Sequence, residues 1–204
     1  KIAENTYRSV NIAFSNELLR ICMSENIDVS NVINMSNEHP RVNILKPGVG
    51  VGGHCIPVDP LFLTNKYKDL KLVESSIYTN QNQPNYFSLK LKKYLKKNKI
   101  KNIIFFGCSY KENVNDTRNS PSINLIEDVI KEKSIQTYVC DYLINKNLQK
   151  NFNFIDMKNI RFKKFEIAIL LVAHDQFKKI DFKKFKRFID ISGLYNYENI
   201  NHLW

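Results

Sequence analysis

From Ile100 onward, short apolar runs alternate with helical segments, and this alternation restricts the possible folds more than any other feature. KNIIFFGCSY is an apolar run that ends at Gly107, the pattern of a strand buried on both faces of a parallel sheet. Ser122–Lys133 reads as a helix with Ser120-Pro121 at its start. IQTYVCD, FEIAILLVAHD and RFIDIS read as three further strands, the last after a short helix at Phe182–Phe185. Strands alternating with helices imply a doubly wound α/β domain. Ligands of that architecture bind beyond the carboxyl ends of the strands.

The preceding sequence is helical. Residues 1–26 read as one long helix, with Ile2, Tyr7, Val10, Ala13, Phe14, Leu18, Ile21 and Cys22 at helical spacing. A second helix is expected over 29–37, capped by Asp28 or Ser30 and stopping before Pro40. Residues 41–60 form a glycine-rich loop and 61–73 another helix. TNQNQPN (Thr79–Asn85) reads as a polar connector around Pro84, followed by a lysine-rich helix, Tyr86–Asn98. The expected fold is therefore α/β, with a helical part at 1–98 and a Rossmann-like part at 99–204. The chain starts inside a helix and without Met, as expected of a piece with sequence missing upstream.

A 204-residue chain that is 43% hydrophobic can bury a real core, yet no apolar run approaches the roughly 20 residues of a membrane span. The N-terminus carries charges throughout, unlike a signal peptide. The net charge of +11 suits anionic partners such as nucleic acid, a membrane surface or phosphorylated small molecules. The lysines cluster at 90–101 and 163–186 on amphipathic helices, without the aromatic interleaving of a base-stacking surface, so a solvated lysine face is the favoured reading. Cys22, Cys55, Cys108 and Cys140 lack CxxC spacing and read as reduced thiols of a cytoplasmic protein.

Cys55 differs from the others in its flanks. Four of the six glycines (Gly48, Gly50, Gly52 and Gly53) lie in KPGVGVGGHCIPVDP, just before it. Gly48, Gly50 and Gly53 satisfy GxGxxG, but no strand precedes them, and Pro57 and Pro60 prevent a helix from opening at Gly53. A P-loop lacks its Gly-Lys-Ser/Thr, and adjacent His54 and Cys55 with no second ligand pair argue against a zinc site. Two readings stay open. The loop is either a tight connection, or a place where backbone approaches a ligand closely and delivers a nucleophilic thiol.

The loop resembles the cysteine motif of the UDP-glucose/GDP-mannose dehydrogenase superfamily, G-x-G-x-G-G-H-C-x-x-x-D-P. KIAENTYRSVNIAFSNEL resembles that family's central-helix motif, and GCSYKENVNDTRNSPS (Gly107–Ser122) its third, so three ordered motifs cover most of the chain. The resemblance implies a central helical dimerisation domain and a Rossmann-like domain that holds the UDP-sugar. It also implies NAD-dependent oxidation of a sugar C6 alcohol to a carboxylate through a cysteine thioester, for surface polysaccharide synthesis. Cys55 would be the nucleophile. Lys1 and Asn5 would stabilise the oxyanion and position water, and Asp59 would activate or orient that water. Arg41, lent across the dimer, Lys46, Gly48, Gly50, Gly52, Gly53 and Lys111 would contact substrate, and Arg118 would touch NAD. The expected partners are a UDP-sugar and a second copy bound through the central helix, with no nucleic acid and no membrane. Asp190-Ile191-Ser192-Gly193 departs from the family's D-x-R/K turn at the nucleotide. GGHC resembles the bacterial enzymes of UDP-N-acetylhexosamines more than the GGSC of UDP-glucose dehydrogenases, which implies UDP-N-acetyl-mannosamine, -glucosamine or -galactosamine. UDP-glucose oxidation, and a non-catalytic basic nucleotide- or nucleic-acid-binding module, stand as the alternatives.

Overall fold

A computed structural model describes residues 1–144 and 151–192. Helix α1 (Ile2–Glu25) ends where Asn26 turns left-handed at φ 56°. Helix α2 (Val29–Asn37) starts at Asp28, whose side chain accepts from the Ser30 N–H at 2.8 Å. Helix α3 (Asp59–Lys66) carries Asp59 and Pro60 in its first turn. Helix α4 (Lys71–Lys97) runs unbroken through Pro84.

That continuity corrects the expected connector at 79–85. A proline inside a helix removes one backbone bond and costs about 3 kcal/mol. Its polar neighbours offset this cost because they are buried, not solvated. Asn80 donates to the Ser9 carbonyl at 2.9 Å and accepts from Asn16 at 3.1 Å. Gln83 accepts from Arg20 at 2.6 Å and donates to the Gly48 carbonyl at 3.3 Å. The polar stretch is thus the seam that joins α4 to α1 and to the glycine-rich loop. The helix expected over 61–73 is correspondingly divided between α3 and the start of α4.

The second half of the chain forms a parallel sheet: β1 (Asn102–Phe106), β2 (Gln136–Cys140), β3 (Asn153–Phe154), β4 (Ile167–Leu170) and β5 (Phe188–Asp190), in the order β3-β2-β1-β4-β5. β3, too short for a periodic signal, is the strand that the sequence reading missed. Helix α5 (Pro121–Ile130) connects β1 to β2, with Ser120 as its N-cap. Because side chains alternate across a strand, Ile103, Phe105, Val139, Ile167 and Ile169 face one way. They share a core with Leu91 and Leu95 of α4 and Leu125, Ile126 and Val129 of α5. That core continues into Leu19, Cys22 and Met23 of α1. On the other face Ile104, Phe106, Ala168 and Leu170 are covered by Phe165, Phe177, Phe182 and Phe185. The last three of these lie in or beside 3-10 turns, which take the place of the helix expected at 182–185.

Candidate functional site

Three of the expected catalytic side chains meet. Asn5, on the first turns of α1, donates to Asp59 Oδ2 at 2.7 Å, and Lys1 Nζ lies 3.5 Å from the same oxygen. Asp59 is only 5% exposed. The Asn5 hydrogen bond, assisted by the Lys1 charge and opposed by partial burial, holds its carboxyl below the usual aspartate range. Cys55 lies one turn before Asp59, and its carbonyl accepts the Val58 and Asp59 N–H groups at 3.2 and 2.8 Å. Its sulfur, half-buried, is 3.4 Å from His54 Nδ1. The other three cysteines are buried and not in disulfides.

The loop that leads to Cys55 is held by side-chain amides. Asn11 accepts from the Leu45 N–H and donates to the Asn43 carbonyl, and buried Asn16 accepts from the Gly48 N–H at 3.0 Å. Asn37 makes a reciprocal pair with the Ile44 backbone. At Gly52 a β-carbon would stand 2.7 Å from Tyr110 Cβ and 2.9 Å from the Asn119 carbonyl. Gly53 adopts φ 79° against the Tyr110 ring. The close approach read from these two glycines is therefore toward the chain's own 107–122 segment. Asn119 donates to the Gly53 carbonyl at 3.0 Å, and the Gly53 N–H to the Arg118 carbonyl at 3.3 Å.

A cleft of about 570 Å³ opens beside this seam, beyond the carboxyl ends of β1, β4 and β5. Lys46, Gly48, Gly50 and Lys111 line it, as does Arg8. The N-terminus of α5, at Pro121 and Ser122, faces it as well and favours anions. Ser192 also lines the cleft and turns back onto Asp190 Oδ1 at 2.6 Å; Gly193 lies outside the described residues. Arg118 is 69% exposed and bound by Asp116 at 2.7 Å, an ion pair that holds the Asp116 carboxyl down to about 2. Arg41 is exposed and lies outside the cleft lining.

Sequence reasoning missed two features. Arg8 lies three residues past Asn5 and seven past Lys1, and helical spacing alone puts it on their face. The second is a buried network, for which the sequence carries no local signal. His174 Nδ1 accepts the Asn113 N–H at 2.8 Å, while Nε2 faces Asp141 Oδ2 at 3.2 Å and Ser109 Oγ at 3.3 Å. Ser109 Oγ in turn donates to the Lys111 carbonyl at 2.7 Å. The network thus clamps the 109–113 loop that presents Lys111 to the cleft. Burial works against ionisation of Asp141, yet the bonds from His174 and from the Cys108 and Leu143 N–H groups hold its carboxyl below the usual range. An acid at the end of β2 binds ribose in dinucleotide folds. Here its oxygens are already taken by the protein.

Residues 1–85 match the UDP-glucose/GDP-mannose dehydrogenase family's central domain and 104–201 its UDP binding domain. The UDP-N-acetyl-D-mannosamine dehydrogenase of Methanocaldococcus jannaschii is 40% identical over 186 residues, 89% of this chain and 41% of the relative. The NDP-N-acetyl-D-galactosaminuronic acid dehydrogenase of Ralstonia nicotianae is 35% identical over 205 residues, 98% of this chain and 48% of the relative. The solved UDP-N-acetyl-mannosamine dehydrogenase of Staphylococcus aureus superposes with a TM-score of 0.82 at 34% identity, covering all of this chain and 49% of that one. This chain therefore spans less than half the length of these relatives. With both halves matched and the fold shared, the chain belongs to the UDP-glucose/GDP-mannose dehydrogenase family.

Proposed function

We propose that this chain is the substrate-holding part of a cytoplasmic, NAD-dependent UDP-N-acetylhexosamine 6-dehydrogenase, with a helical unit at 1–98 and a UDP-binding unit at 99–204. The observation that carries the reading is the convergence of Lys1, Asn5 and Asp59 beside Cys55, next to a cationic cleft at the carboxyl ends of the sheet. The relatives named for UDP-N-acetyl-D-mannosamine and NDP-N-acetyl-D-galactosaminuronic acid support an N-acetylated sugar and leave mannosamine, glucosamine and galactosamine as candidates.

In this reading the diphosphate lies in the cleft against Arg8, Lys46, Lys111 and the α5 N-terminus, and the hexose reaches toward Cys55. The C6 alcohol first loses its hydroxyl proton to solvent and a hydride from C6 to become an aldehyde, to which the Cys55 thiolate adds: a C–S bond forms and the carbonyl pair moves to oxygen. Lys1 and Asn5, both oriented by Asp59, donate to that oxyanion. Loss of hydride from C6 leaves a thioester, and attack by water releases the carboxylate and regenerates the thiolate. Asp59, held charged by its two donors, orients the water and steadies the cation. NAD would accept the hydrides. Toward it the described residues offer the exposed Arg118 but no glycine-rich crossover of their own, and Asp141 is spoken for. The dinucleotide would therefore approach Cys55 from outside this sheet.

A homodimer fits the exposed face of α1, where Tyr7, Phe14 and Ile21 recur every seven residues and are 60%, 53% and 59% exposed. Arg41, also exposed, is available to a second copy. Among the described residues no helix is long and apolar enough to cross a membrane. The deciding assay follows NADH production by the full-length protein over a panel of UDP-sugars. Steady carboxylate formation by Cys55→Ser would overturn the thioester route.

A further inference from the structure

The thioester route needs a thiolate at Cys55, and the residue expected to manage protons there is already committed. Asp59 takes the Asn5 hydrogen bond and the Lys1 charge on one oxygen. A carboxylate so stabilised is a weak proton acceptor near neutral pH. Among the described side chains the sulfur makes one hydrogen-bond contact, with His54 Nδ1 at 3.4 Å.

The surroundings suit a proton transfer between these two groups. Both neighbours of the pair are pinned: Gly53 by Asn119 and the Arg118 carbonyl, and the Cys55 carbonyl by the Val58 and Asp59 N–H groups. His54 itself is exposed, so its second nitrogen can exchange protons with water. The charged and titratable groups linked to the pair are Asp116, whose carboxyl feels the charge of His54, Arg118 paired with Asp116, Tyr110 against Gly53, and Asp59, one turn past Cys55, with Lys1 on it.

We infer that His54 is the proton acceptor that converts the Cys55 thiol into the nucleophilic thiolate. The S–H bond breaks, its electron pair stays on sulfur, and an N–H bond forms at Nδ1. The product is an imidazolium–thiolate pair, and no further reactant is required. The inference rests on the reading of Cys55 as the nucleophile.

Iodoacetamide alkylation of Cys55 in the full-length protein, followed peptide by peptide by mass spectrometry as a function of pH, tests it. Near pH 6.5 the parent protein is expected to react about tenfold faster than a free cysteine. His54→Gln should remove that advantage, with an unchanged melting temperature. The inference fails if His54→Gln keeps the parental rate near pH 6.5. It also fails if Lys1→Met, and not His54→Gln, removes the advantage, because the thiolate then owes its stability to the lysine alone. Turnover by Cys55→Ser is the separate arm: parental carboxylate production would refute the nucleophile assignment whatever the alkylation profile shows.

Discussion

At the scale of single residues, Asp59 and the glycines before Cys55 differ in kind. Asp59 joins the two donors of α1 to the cysteine loop through one oxygen. Asp59→Asn removes the charge but keeps the shape. On the proposed thioester route it should slow hydrolysis about a hundredfold, so that acyl-enzyme accumulates and becomes visible by intact-protein mass. The glycines are separated by what a β-carbon would meet. Gly48 has open space around it, and Gly48→Ala should change stability by no more than about 0.5 kcal/mol. At Gly52 the new carbon would press on the Asn119 carbonyl, a backbone atom that cannot swing aside. Gly52→Ala should cost about 1–3 kcal/mol in denaturant unfolding.

At the scale of elements, α4 serves both halves of the molecule. Its first half joins α1 through Asn80 and Gln83, and its second half packs Leu91 and Leu95 into the core beneath the sheet. Asn80→Ala leaves the Asn16 amide without its acceptor and the Ser9 carbonyl without its side-chain donor. The expected loss is about 1–3 kcal/mol, read from urea midpoints. A matching Asn16→Ala should be non-additive with it, since the two share one hydrogen bond. A loop held only by solvated turns would show neither effect.

At the scale of the whole molecule, two predictions concern the assembly and its acid limit. The α1 stripe of Tyr7, Phe14 and Ile21 should be the seam between two copies, so Phe14→Glu should shift a dimer to monomer in light scattering. The acid limit follows from carboxyls depressed in the folded state. Asp128 between α5 and α4 loses some ionisation to burial, but Lys92 at 2.7 Å and Ser88 at 2.6 Å bring it down to about 2. Asp141 is likewise held low. A depressed folded pKa adds stability that is fully present above the unfolded value of about 3.9 and is lost as pH falls through the folded one. Thermal stability should therefore decline from about pH 4 toward pH 2, and Lys92→Met should make that decline shallower.

Local pattern carried much of the architecture. The runs at 103–106 and Ile167–Leu170 are apolar on both faces because both faces of these strands are covered, and the sequence shows this directly. The extents of α1 and α2 follow from periodicity and from the cap at Asp28. The cysteine motif was recognised by its resemblance to the family's, after its prolines and the lack of a preceding strand had removed the dinucleotide fingerprint. Only the tertiary structure decided the rest. Thr79–Asn85 reads as a solvated connector because burial of Asn80 and Gln83 depends on partners in α1, more than 60 residues away. Gly52 and Gly53 read as open to a ligand until Tyr110 and Asn119 are folded onto them. The clamp on Lys111 joins residues 109, 113, 141 and 174, brought together by strand order. Sequence alone located α1, α2, the central strands and the nucleophile candidate, because these are written in neighbouring residues. The fold decided which polar groups are satisfied by protein and which line the open cleft, because that depends on who is adjacent in space.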